Sequence, residues 1–299
     1  MTVCHDRPVT SPVLRSALPA RVHHLQPAAL TALAVALLVG LPELFGDRGR
    51  LAAVLVLQLG LVLTWVVVTG IQGFAGSLAV GAAAAVAADL VLVLPDRPEL
   101  GDLLVVLGVG FLVAVLQQMF RRPREGLGRP REDVVASLAG SLLLLTAVAS
   151  LGALLLLGRT EEGHDRAMVA LLAVGIALVV GHLVDLVLPR PYLATGVPRG
   201  LIGLVLSVAA GALVTFLGRD VGGTAGAVPA LVLGAALAGV TAMVALVASY
   251  VVVEATAADE SGPAPSLDPS LSPWALSVVQ AVLPFAACAP VALALQMVL

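Results

Sequence analysis

The stretch that decides the fold is "AMVALLAVGIALVVGHLVDLVL", residues 167–188. Every side chain in it is apolar except those of His182 and Asp185. About 20 such residues in a helix cross the hydrocarbon core of a bilayer, which is about 30 Å thick. The run ends before Pro189 and Pro191, which do not continue a helix. The stretch therefore predicts a membrane-spanning helix that carries two ionisable groups near its end.

Similar apolar runs fill most of the remaining chain. The sequence is 60% hydrophobic and 12% charged, whereas soluble domains are roughly 25% charged. We therefore predict an all-α, polytopic integral membrane protein with about nine transmembrane helices. Residues 1–26 are predicted to be a basic cytoplasmic tail and residues 27–299 a single transmembrane domain. The other eight predicted spans are 27–45, 51–70, 73–95, 101–120, 134–158, 200–218, 227–253 and 274–299.

The distribution of arginine predicts the orientation. All 16 basic residues are arginine, and they concentrate in the N-terminal tail and in the connections 121–133 and 189–199. Cytoplasmic loops carry the excess of basic residues, and nine helices put these three segments on one side. We predict a cytoplasmic N-terminus and an external C-terminus in a bacterial cell membrane. The acidic, Pro/Ser-rich segment 254–273 becomes a cytoplasmic loop.

A few ionisable residues inside or beside the spans are candidates for a site. His182 and Asp185 are three residues apart and share a helix face. They are predicted either to pair structurally with Arg190 or Arg199, or to form with them a site for lipid or another ligand, because intramembrane ionisable groups often serve function. Asp89, in "AADLVLVLPDRP", echoes the surroundings of Asp185. Inverted repeats are typical of transporters, so a small transporter using Asp89, His182 and Asp185 is one alternative.

The seventh predicted helix carries a stripe of small side chains at Gly203, Ser207, Gly211 and Thr215. A spacing of four residues puts them on one face, and such faces allow close helix contact in lipid. The stripe predicts helix packing within the chain, with a homodimer interface as the alternative. Membrane lipids are the other expected partners, and nucleic acid is not expected.

The sequence lacks the motifs of soluble enzymes. It has no Gly-Lys-Ser/Thr phosphate loop and no His-Glu-x-x-His. Its two cysteines, Cys4 and Cys288, lie at opposite ends of the chain and indicate neither a disulfide framework nor a metal cluster. We therefore predict no catalytic residues, no metal ligands and no cofactor.

Five features, in their order along the chain, carry a resemblance to a known family. They are "MFRRPREG" at 119–126, "REDVVASLAG" at 131–140, "ALVVGHLVDLVLPRP" at 177–191, "GVPRGLIGLVLSVAAGALVTFLG" at 196–218, and a loop before the last helix. Over residues 28–299 this layout resembles the CDP-diacylglycerol synthases, or phosphatidate cytidylyltransferases. The resemblance implies the helical fold of that family and an ancestral Mg²⁺-dependent transfer of a cytidylyl group to phosphatidate.

The chain departs from this family at the residues that carry the chemistry. Leu178 stands where the family has an aspartate, and His182 stands where it has a tyrosine. The last loop, 254–273, lacks the lysines, the His-Gly-Gly and the metal-binding acids of active members. Residues 220–299 contain no Arg, Lys or His, although phosphoryl-type transfer needs positive charge. We therefore expect a non-catalytic relative that binds lipid or a partner protein, with an altered, Mg²⁺-dependent cytidylyltransferase as a further alternative.

Overall fold

The chain folds as a bundle of helices. The computed structural model describes residues 20–69, 74–120, 132–159, 161–193, 197–224, 226–259 and 272–298. Seven of the helices are long and apolar enough to cross a membrane, and α6 is shorter. The prediction of an all-helical, membrane-embedded protein is confirmed at this level. The helices are α1 Ala20–Thr69, α2 Phe74–Val93, α3 Leu103–Phe120, α4 Glu132–Gly152, α5 Glu161–Val187, α6 Leu201–Leu217, α7 Ala227–Asp259 and α8 Ser272–Val298.

Helix α1 is bent back on itself. Its 50 residues would extend about 75 Å if straight, more than twice the thickness of a hydrocarbon core. Gly46 interrupts it with φ +59° and ψ −139°, a conformation that glycine adopts readily. Beyond this break the chain turns back, and Gly49 lies against the backbone of Leu41. The helix therefore has a first arm, residues 20–45, and a second arm, residues 47–69, which correspond to the predicted runs 27–45 and 51–70.

The two arms of α1 pack against different helices. The first arm lies against α5, where Val35 meets Gly175, and α8 also packs on α1. The second arm lies against α2 and α4, and the indole nitrogen of Trp65 donates a hydrogen bond to the carbonyl of Gly140 at 3.0 Å. The hairpin of α1 thus packs against α5 and α8 as well as against α2 and α4.

The contacts of α5 define two ends of the bundle. At its beginning, His164 contacts Arg50; near its end, His182 contacts His24 and Arg199. These two histidines are 18 residues apart in sequence, which in a helix is about 27 Å, close to one bilayer core. We call the two ends of the bundle the Arg50 end and the Arg199 end.

The described helix ends that border the arginine-bearing connections lie at the Arg199 end. Helix α3 ends beside the start of α2, where Gln117 meets Gly76. Helix α2 then finishes at the Arg50 end, where Arg159 donates to the carbonyl of Leu92. Helix α8 starts at the Arg199 end, because Ser277 donates to Gln26 near the start of α1. The arginines of 121–131 and of the first 19 residues lie outside the described residues.

Two predicted boundaries need correction. The tail was predicted to extend to residue 26, but α1 begins at Ala20, because His23 and His24 are buried against the rest of the bundle. The loop 254–273 was predicted to begin at Glu254, but α7 continues to Asp259, where the alanine-rich sequence favours a helix. Residues 260–271 of that loop lie outside the described part of the chain.

We predict that Gly49→Ala destabilises the α1 hairpin. An added Cβ would overlap backbone atoms of Leu41 and Pro42, and overpacking of this kind costs about 1–3 kcal/mol. The matched control is Gly60→Ala in the second arm, where a Cβ meets no heavy atom within 4 Å. Midpoints of thermal unfolding in detergent should fall for the first variant and hold or rise for the control. Equal midpoints for the two variants would show that the close approach is not a structural requirement.

Candidate functional site

The connection after α5 folds back toward the bundle. Helix α5 ends at Val187, two residues before the first proline of "PRP". The N–H of Leu193 then donates to the carbonyl of Arg199 at 2.9 Å, and the N–H of Leu201 donates to the carbonyl of Pro191 at 2.9 Å. These bonds place Arg199 immediately before α6, with its side chain directed to the interior, where it is 6% exposed.

Arg199 is the centre of a buried polar cluster. Its Nη1 donates to Asp185 Oδ2 at 3.1 Å, its Nη2 to His182 Nε2 at 3.1 Å, and its Nε to Ser249 Oγ on α7 at 3.0 Å. Burial lowers the pKa of Arg199, and the Asp185 carboxylate opposes this shift. All three guanidinium nitrogens therefore bond to side chains of the same protein.

Asp185 ties α5 to the beginning of α6. Its Oδ1 accepts a hydrogen bond from the backbone N–H of Gly200 at 2.9 Å, while Oδ2 pairs with Arg199. A negative charge at this place is also favoured by the dipole of α6, whose positive end lies here. Gly203 allows the approach, because a Cβ on it would overlap the Asp185 carboxylate. The pairing of Asp185 with Arg199 is thus one of the two alternatives that the sequence left open.

Three histidine rings lie side by side in this cluster. The ring centroids of His23 and His24 are 5.0 Å apart, and those of His24 and His182 are 5.8 Å apart. Because arginine only donates, the Nε2 of His182 accepts and its ring hydrogen lies on Nδ1. Sequence reasoning missed His23 and His24 because it assigned them to the tail. The sequence feature that could have identified them is a pair of consecutive histidines directly before an apolar run.

The histidine rings retain unused hydrogen-bonding capacity. Both ring nitrogens of His23, the Nδ1 of His24 and the Nδ1 of His182 are buried and have no partner among the described residues. Within the same described residues, no group of three or more His, Cys, Asp or Glu side chains is placed to hold a metal ion. The cluster therefore offers neutral donors and acceptors, while its positive charge is already paired.

A narrow cleft lies beside the cluster, between α5, α6 and α7. The Asp185–Arg199 pair forms its polar side, and the rest of its wall is largely apolar. Leu178, at the position where the resemblance implies an aspartate, lines this cleft and is 2% exposed. The cleft is therefore lined mainly by apolar side chains, with one buried ion pair on its polar side.

The other predicted site residues are distributed around the bundle. Arg190 is exposed and lies outside the buried cluster. Asp89 lies one turn before the end of α2, toward the Arg50 end, and accepts a hydrogen bond from Gln58. The structure therefore brings together His182, Asp185 and Arg199 and places Asp89 apart from them.

The stripe of small residues on α6 faces the inside of the bundle. All four of its members are buried. Thr215 Oγ1 donates to the carbonyl of Ala230 on α7 at 2.7 Å, and a Cβ on Gly211 would overlap Ala238 of α7. In this structure the stripe is covered by neighbouring helices of the same chain.

A second polar cluster, at the Arg50 end, was not predicted. Arg50 donates from Nη2 to His164 Nδ1 at 2.8 Å and from Nη1 to the carbonyl of Gly158 at 2.7 Å. His164 Nε2 in turn donates to Glu43 Oε1 at 2.8 Å. The signal was the charged stretch "PELFGDRGR", residues 42–50, which overlaps the gap between the predicted spans 27–45 and 51–70. This cluster fastens the α1 hairpin to the turn between α4 and α5.

We predict that Arg199→Leu strongly destabilises the protein. It leaves Asp185 buried without a counter-charge, and breaking a buried pair in this way costs about 3–5 kcal/mol. The double variant Asp185→Leu/Arg199→Leu removes both charges and should recover most of the loss, because apolar replacement of a whole pair is often neutral. Free energies of unfolding in mixed micelles would measure both effects.

Arg190→Leu is the matched control for this series, because Arg190 belongs to the same connection but is exposed. Its effect should stay within about 0.5 kcal/mol, as for most surface substitutions. If Arg199→Leu were as stable as the control, the buried pair would not be what holds this end of the bundle together.

Comparison with known proteins adds no family assignment. No protein-family model matches the chain, and no curated protein matches it. The resemblance to the phosphatidate cytidylyltransferases therefore stays a prediction from the order of its sequence features.

Proposed function

We propose that this chain is a non-catalytic, membrane-embedded lipid-binding protein, built on a scaffold related to the phosphatidate cytidylyltransferases. One observation carries the proposal. Arg199, the buried cation that lines the cleft, has all three of its guanidinium nitrogens bonded to Asp185, His182 and Ser249. Among the described residues, the cleft beside it therefore offers apolar walls and no spare positive charge.

The proposed topology has nine crossings with the Arg199 end in the cytoplasm. Counting the two arms of α1 separately, together with α2 to α8, gives nine. The fold-back at Gly46 supports this count. With its 17 residues, α6 is at the lower limit of length for a spanning helix. The arginine-bearing connections flank helices that end at the Arg199 end, which favours the cytoplasm for that end and puts the C-terminus outside a bacterial cell membrane.

Cytidylyl transfer has less support. The reaction depends on Mg²⁺, Arg and Lys to neutralise phosphate charge. The chain contains no basic residue from position 220 onward, and Arg199 is held by its own neighbours. A nucleotide would have to break the buried ion pair before it gained a positive group from it.

A transporter also has less support. Transport sites lie near the middle of the membrane, where the polar groups share one cavity. Asp89 and Asp185 lie toward opposite ends of the bundle and have separate partners, Gln58 and Arg199. None of the described clefts is lined by both acids.

A phospholipid with an anionic headgroup fits the surface beside the cleft. The outer face of α6 exposes apolar side chains, among them Val205 at 55%, which suit acyl chains. Arg190 and Tyr192 are exposed at the adjacent helix end, the level at which arginine and aromatic residues meet headgroups. In the proposed complex the acyl chains lie along the outer face of α6, and the phosphate pairs with Arg190.

The direct test combines a lipid analysis with an activity assay. Purified protein should retain co-purified phospholipid and form no CDP-diacylglycerol from phosphatidate, CTP and Mg²⁺, because the cleft lacks free positive charge. Mass spectrometry of extracted lipid and of the reaction mixture gives both readouts, with an active phosphatidate cytidylyltransferase as the positive control. CDP-diacylglycerol formed at the rate of that control would refute the proposal.

We further predict that Arg190→Ala weakens the binding of anionic lipid. One arginine near the membrane surface contributes about 1 kcal/mol, which is about fivefold in affinity. The matched control is Arg97→Ala. It removes an exposed arginine that follows α2 at the Arg50 end of the bundle. Native mass spectrometry with phosphatidylglycerol and phosphatidylcholine would measure the effect, which should be confined to the anionic lipid. Equal losses of affinity for phosphatidylglycerol in the two variants would show that Arg190 does not bind the headgroup specifically.

A further inference from the structure

An acid and an amide are buried together between three helices. Asp89 of α2 is 3% exposed, and Gln58 of the second arm is fully buried. Gln58 Nε2 donates to Asp89 Oδ1 at 3.1 Å and to the carbonyl of Val148 on α4 at 3.1 Å. Because both partners of Nε2 are acceptors, the amide orientation follows from the hydrogen bonds.

Two oxygens of this pair are left without a hydrogen bond. Asp89 Oδ2 and Gln58 Oε1 are both buried and have no partner among the described residues. Both are acceptors, so the pair lacks one donor. Buried polar groups are nearly always hydrogen-bonded, so two buried acceptor oxygens on side chains that already share one hydrogen bond require a donor.

The surroundings offer the Asp89 carboxyl no counter-charge. The second arm faces it with the neutral Gln58, and Gly152 of α4 lies beside its Oδ1. Arg159 donates instead to the carbonyls of Leu92 and Pro95, and no described cation forms an ion pair with Asp89. An unpaired carboxylate within a membrane domain is costly.

One proton satisfies both oxygens. A hydrogen on Asp89 Oδ2 can donate to Gln58 Oε1, while Gln58 Nε2 already donates to Oδ1. The acid and the amide then form a cyclic pair with two hydrogen bonds, and neither side chain carries charge. We propose that Asp89 is a proton-binding site, which in the folded protein holds a proton shared with Gln58 and so joins α2 to the second arm of α1.

This inference does not depend on the proposed lipid binding, because Asp89 lies toward the Arg50 end and the lipid cleft lies at the Arg199 end. The competing ligand is a monovalent cation bound between the two orphan oxygens.

Infrared spectroscopy of the full chain in lipid nanodiscs provides the first readout. At neutral pH the wild type should show the carbonyl band of a protonated carboxylic acid. The band should disappear in Asp89→Asn and remain in the control Asp96→Asn, which alters an exposed acid in the turn after the same helix. A wild-type spectrum without the band, or a band that survives in Asp89→Asn, would overturn the proposal.

Thermal unfolding provides the second readout. Asparagine reproduces the hydrogen bonding of the neutral acid, because its amide can both donate to Gln58 Oε1 and accept from Gln58 Nε2. Asp89→Asn should therefore unfold at the wild-type midpoint, whereas Asp89→Leu, which strands the Gln58 amide, should unfold at a lower one. Exchange of Na⁺ and K⁺ for choline should leave the wild-type midpoint unchanged. A lower unfolding midpoint for Asp89→Asn, or a loss of wild-type stability in choline, would contradict the proposal and indicate a bound cation in place of the proton.

Discussion

A guanidinium buried at the end of a helical bundle has to find partners for its charge and for its N–H groups, and this requirement organises the Arg199 end. Arg199 reaches α5 through Asp185 and His182, and α7 through Ser249. Since Asp185 also accepts the N–H of Gly200, the same ion pair fixes where α6 begins. The positions of α5, α6 and α7 at this end therefore depend on one arginine that belongs to none of the three helices.

Close backbone approach follows from the same requirement. Asp185 can reach both of its partners only if α6 passes close to α5, and the absence of side chains at Gly181 and Gly203 makes room for this passage. Further along α6, Gly211 continues the contact against α7. In lipid, where apolar surfaces gain little from meeting each other, such small residues and interhelical polar bonds supply much of the association. The small-residue stripe and the ion pair are thus parts of one packing arrangement.

The sequence predicted the membrane-embedded helices because hydrophobic runs of about 20 residues are typical of transmembrane helices. It predicted that Asp185 could pair with Arg199, because the two lie near one helix end, but it could not choose between pairing and ligand binding. The sequence did not predict the residues that α1 contributes to the two polar clusters. His23 and His24 were assigned to a tail, and Arg50 and His164, 114 positions apart, meet only because the chain folds back at Gly46. Local patterns identify helices well, whereas polar contacts between distant segments depend on the packing.

In the proposed nine-crossing topology, the short length of α6 has a consequence for the surrounding bilayer. Its 17 residues rise about 25 Å, which is less than the roughly 30 Å of a hydrocarbon core. Hydrophobic mismatch of this kind is relieved by local thinning of the bilayer, at a cost of a fraction of a kcal/mol per Å. In the proposed topology, lipid next to α6 is therefore compressed relative to lipid elsewhere around the bundle. Such a boundary layer favours shorter or more disordered acyl chains on that side of the protein, whatever the bulk membrane contains.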